Sequence, residues 1–157
     1  MRFTLIKDLK HDAIMKPVLG GLLFFILLYL VADLFVKQSS FGLTPDTVKA
    51  TLFGNEEEFL DPLSKAAFLE FWHMEIFFSM MLLFTLSAVY IRMSEGSKKA
   101  LVVVNLLFIS TLVSLFSLFI AYFFKQNFVT FYLLSFHLWH ITALFCSLYS
   151  LKRLYFA

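Results

Sequence analysis

The chain has 157 residues, 61% of them hydrophobic and 15% charged, with 22 phenylalanines and a mean hydropathy of +0.84. That balance excludes a water-soluble globular domain, because too few polar groups are present to cover the apolar surface. The net charge of +2 comes from 13 basic and 11 acidic residues spread unevenly, which speaks of membrane topology and not of a nucleic-acid partner.

Residues 1–16 set Arg2, Lys7, Lys10 and Lys16 against Asp8 and Asp12. The helical spacing of Phe3, Ile6 and Leu9 predicts an interfacial stretch. The first span follows at 17–36, about 20 residues, enough to cross roughly 30 Å of hydrocarbon. It exceeds a signal-peptide core and lacks a small-x-small cleavage site after it, so a retained span and a mature chain starting at Met1 are expected.

The loop 37–66 carries Thr44-Pro45, an N-cap followed by an N1 proline, and Gly54, which suits a helix end. A short helix near 45–53 is predicted. The acidic run Glu56 to Glu58 reads as a solvated loop, since it lacks the alternating ligands of a calcium loop. Asp61-Pro62 repeats the cap-and-proline signal and predicts that the helix of the second span, 67–91, begins in water. A polar turn at 94–99 leads to a third span at 100–124, and Lys125-Gln126-Asn127 turns the chain into a fourth at 128–150, closed by Lys152 and Arg153. Short connections make sequential spans antiparallel neighbours. The predicted fold is all-α, an integral membrane four-helix bundle, up-down-up-down, in one domain over 1–157.

Nine Lys and Arg fall in the N-terminus, the 92–99 turn and the C-terminus, against four in 37–66 and 125–127. The positive-inside rule then places both termini in the cytoplasm and the acidic loop outside, in a cell membrane that would be the inner membrane of a bacterium. The lone Cys146 excludes an internal disulfide and cysteine-based zinc or iron–sulfur motifs.

Ionisable residues inside spans are costly, so each needs a reason. Asp33 lies near the outer end of span one, Glu70, His73 and Glu75 in the outer part of span two, and His137 and His140 in span four. Counting from the outer boundary puts His73 roughly 9 Å deep, His137 roughly 13 Å and His140 roughly 18 Å. Glu70 and His73 share a helix face, as do His137 and His140, whereas Glu75 points about 160° from His73.

Three readings of these residues are open. Haem b needs an imidazole from each of two helices at matched depth, which His73 with His137 or His140 would supply, inside walls that include Phe71, Phe77, Phe78 and Phe136. In general architecture the chain resembles small four-span membrane cytochromes and the haem-carrying anchors of respiratory complexes. A zinc, copper or iron ion is the second reading, with Glu70, His73, His137 and His140 as ligands and Met80 and Met81 deeper in span two. Glu70 to His73 has the Glu-x-x-His form of di-iron bundles, but span four has His-x-x-His instead, span one offers only Asp33 and span three offers no carboxylate. The third is hydrogen bonding between helices alone, which suits Glu75 and Asp33 best.

Ser110, Ser114 and Ser117 form a small-residue face for close helix approach. Asn105 can bond across helices, Trp72, Trp139 and Tyr132 can anchor at the interface or wall a pocket, Cys146 reads as a buried small residue, and His11 has no evident partner. The expected function is a membrane protein that binds haem b or a metal ion between spans two and four, as an electron-transfer or accessory subunit of a respiratory complex. The alternatives are an assembly subunit without catalysis and a carrier of metal ions or protons. No nucleophile–base pair or phosphate loop supports an independent enzyme, and an aspartyl protease would need a second span aspartate beside Asp33. The expected partners are the lipid bilayer and other membrane subunits or further copies of the chain, with no nucleic acid.

Overall fold

The computed structural model describes residues 14–57 and 59–156. Most of the interfacial stretch expected at 1–16, with His11 and Glu58, lies outside the described residues. Five helices follow in order: α1 (Met15–Ser40), α2 (Pro45–Phe53), α3 (Lys65–Met93), α4 (Lys98–Phe123) and α5 (Phe128–Phe156). All but α2 are long and apolar enough to cross a membrane, so this is a multi-pass bundle.

Helix ends follow local chemistry. Thr44 caps α2 and exchanges bonds with Thr47 in a capping box, and Gly54 closes the helix at φ +82°. Helix α1 runs past residue 36 through Lys37 to Ser40. It stops where Gly42, at φ +79°, donates its N–H back to the Lys37 carbonyl at 2.8 Å. Helix α3 begins later than Asp61-Pro62 would place it, because Ser64 supplies the cap by accepting from the Ala67 N–H.

The buried positions follow a spacing of alternating fours and threes. On α4 they include Ala100, Val104, Leu107, Thr111, Ser114, Leu118 and Ala121, and on α5 Val129, Tyr132, Phe136, Trp139, Ala143, Cys146 and Ser150. Helix α5 has a second buried row, Leu133, His140, Ser147 and Leu154, so it touches neighbours on several sides and is the central helix. Small residues let α4 and α5 approach closely, and their hydroxyls bond to carbonyls one turn back, as Ser110 does to Leu106 at 2.7 Å.

At the α2 end, Phe68 stacks on Tyr122, whose hydroxyl donates to the Leu63 carbonyl at 2.8 Å. At the opposite end, Lys16 lies 5.2 Å from the centroid of the Tyr155 ring, so the described ends of α1 and α5 share one side of the bundle. Helix α1 packs along α5 and only loosely along α3, which opens a seam between α1 and α3.

Candidate functional site

The buried row of α1 is Leu19, Leu23, Ile26, Leu30 and Lys37, and the same spacing passes through half-buried Asp33. Two ionisable residues thus replace apolar ones at the α2 end of a seam that is otherwise hydrocarbon. On α3 the same period runs through Phe68, Trp72, Glu75, Ser79, Leu82, Leu86, Val89 and Met93, which turns Glu75 inward. Glu70 and His73 are off that seam and exposed.

These registers bring two ion pairs together. Lys37 Nζ lies 2.6 Å from Glu75 Oε1, joining α1 to α3, and His140 Nε2 lies 3.2 Å from Asp33 Oδ2, joining α1 to α5. Counted along each helix from its α2 end, Asp33 is about 10 Å in, Glu75 about 15 Å and His140 about 18 Å. Lys37 and His140 are each only 2% exposed. Both contacts are close but oblique: among the described residues, Lys37 Nζ and both ring nitrogens of His140 have no partner with hydrogen-bond geometry. The electrostatic pairing therefore stands without the directional bonds that normally accompany a buried ion.

Aromatic groups supply the rest of the surroundings. Lys37 Nζ sits 4.2 Å from the Phe71 centroid and 5.8 Å from that of Phe136, and Phe41 stacks behind Phe71. Rings flank His140 too, Trp139 at 3.9 Å and Phe136 at 4.4 Å. Tyr29 and Tyr132 lie within electrostatic reach of both carboxylates.

A lateral cleft of about 470 Å³ opens in the α1–α3 seam beside the pairs. Its wall includes Tyr29, Ala32, Asp33, Glu70, Phe71, Met74 and Glu75, with no Lys, Arg or His. An apolar cleft of about 280 Å³ shares Tyr29 and Phe78 with it and continues along the seam past Leu22, Phe25 and Met81. Asp33 and Glu75 thus each face a buried base on one side and a cleft on the other.

The residues singled out by sequence are dispersed. His73 is exposed on α3. His137 is exposed on α5, its Nδ1 2.7 Å from the Leu133 carbonyl, while His140 is buried against Asp33. A carbonyl only accepts, so Nδ1 of His137 is the donor in this contact. Among the described residues, no three His, Cys, Asp or Glu side chains gather as a metal ion would require. Trp72 turns to α4, donating from Nε1 to the Leu115 carbonyl at 3.0 Å, and Cys146 is fully buried. Sequence reasoning missed Lys37, placed in the loop, and set Asp33 and Glu75 aside; their place in the four-three seam was the signal.

Fold and site together define a multi-pass α-helical membrane protein with a buried charge cluster. Residues 42–157 match the family Aq_1264_TM, a transmembrane helical domain, and the chain belongs to that family. The matched segment covers α2 to α5 and begins just past α1, so both ion pairs fasten α1 to the family domain. No curated protein and no solved structure matches the chain.

Proposed function

We propose that the protein is a membrane carrier without catalysis that takes up positive charge, a proton or a cation, at the carboxylates of Asp33 and Glu75. One observation carries the reading: each carboxylate is paired with a buried base behind it and lines an open lateral cleft in front. Ionisable groups are retained inside a span at a cost of several kcal/mol, about 2.5 or more each on insertion scales, and are rare where they do nothing. Their helix-docking role does not require the carboxylates to face a cleft.

Reconstitution tests it. In liposomes loaded with a pH-sensitive dye, an inside-negative potassium diffusion potential should acidify the lumen faster with the protein than without. Asp33→Asn and Glu75→Gln proteins that keep their helicity and elution volume should fall to the protein-free rate. Equal rates with and without the wild-type protein contradict proton carriage at these carboxylates.

Haem binding within a respiratory assembly is the second reading, and the hydrogen bond of His137 favours it. An Nδ1–H held by a backbone carbonyl is the arrangement that orients metal-ligating imidazoles. His137 would then ligate from the exposed face of α5, with His73 or a partner subunit opposite, since His140 is turned to Asp33. When bound, haem would supply one-electron chemistry. An absorbance spectrum with a reducible Soret band, lost in His137→Ala, is the result this reading requires; a colourless preparation from haem-replete cells removes it.

A further inference from the structure

We infer that the α1–α3 cleft binds an amphipathic organic cation, a quaternary ammonium or phosphonium with an aromatic or alkyl body. The assignment rests on the carrier reading and names its substrate class. Asp33, Glu70 and Glu75 are the carboxylates in the wall. The two bases paired with them, Lys37 and His140, lie outside the wall, so three carboxylates face the cleft against two bases behind. Tyr29, Phe71 and Phe78 offer ring faces in the same wall, and a ring face beside a carboxylate is what a poorly hydrated cation selects.

An inorganic ion needs several converging ligands, which the described residues do not assemble, whereas an organic cation needs only field and apolar contact. The volume of about 470 Å³ lies within the range of small-molecule sites. The apolar continuation past Phe25 and Met81 gives room for a hydrophobic body below a charged head. Lys37 and His140 pair with Glu75 and Asp33 without lining the cleft themselves, so the side of the wall open to a cation carries carboxylates and no base.

Tetraphenylphosphonium and tetraphenylborate have the same shape and opposite charge, so they separate charge recognition from apolar partition. Equilibrium dialysis of the full chain in a neutral detergent should show saturable binding of tetraphenylphosphonium and none of tetraphenylborate. Ala32→Trp places an indole in the cleft from an exposed position and should weaken binding at least about tenfold; Glu70→Gln, also exposed, should weaken it several-fold. Neither residue belongs to an ion pair among the described residues, so both variants should elute and unfold like the wild type. Absence of saturable binding by the folded wild type, equal binding of the borate, or full binding in Ala32→Trp overturns the inference. Proton flux that persists without phosphonium binding overturns this ligand alone, whereas loss of both measurements removes the carrier reading as well.

Discussion

Glu75→Gln should destabilise the bundle more than Lys37→Met, although the two changes break the same ion pair. In Glu75→Gln the Lys37 ammonium loses its counter-ion while 2% exposed, and what remains beside it is an uncharged amide and the face of Phe71 at 4.2 Å. Removing one member of a buried pair costs about 3–5 kcal/mol, and the ring restores about 1 kcal/mol, so a loss of about 3 kcal/mol is expected. In Lys37→Met the stranded group is Glu75, whose side chain is 20% exposed and borders the cleft, so its charge can be hydrated; about 1–2 kcal/mol is expected. The double variant leaves no unpaired charge and should recover to within about 1 kcal/mol of the wild type. Unfolding by SDS titration in mixed micelles, followed by circular dichroism, measures all four corners of the cycle. Additive losses, or a greater loss in Lys37→Met, would refute the claim that the ammonium is the desolvated partner.

Gly42→Ala should cost about 1–2 kcal/mol in the same titration, because its φ of +79° suits glycine and a Cβ there would run into the Thr47 hydroxyl of the α2 capping box. Cys146 should resist a membrane-permeant maleimide in the folded protein and react fully after denaturation, since it is completely buried; mass spectrometry reads the difference.

The spans were legible because hydropathy over some twenty residues is a strong local signal and lipid admits few alternatives to a helix. The facing of their polar residues was less so. Taking Glu70 and His73 as an inward pair set the phase of α3 by the residues chemistry made interesting. The phase is set by Trp72, Ser79, Leu82, Leu86 and Val89, which turn Glu75 inward instead. Lys37 was hidden because the first span was ended where hydropathy falls, at residue 36, yet the helix continues a turn further into Gly42. Which helices border one another depends on side-chain fit summed over whole seams, so the pairing of Asp33 with His140 and the open α1–α3 cleft belong to tertiary packing.

The bundle sets Asp33 against buried His140 and leaves His73 and His137 exposed. The chain has only four histidines, so imidazole ¹⁵N resonances of histidine-labelled protein can be assigned by single replacements. Asp33→Asn should move the His140 signals and leave those of His73 and His137 in place. An unmoved His140, or His73 and His137 shifting along with it, would contradict the account.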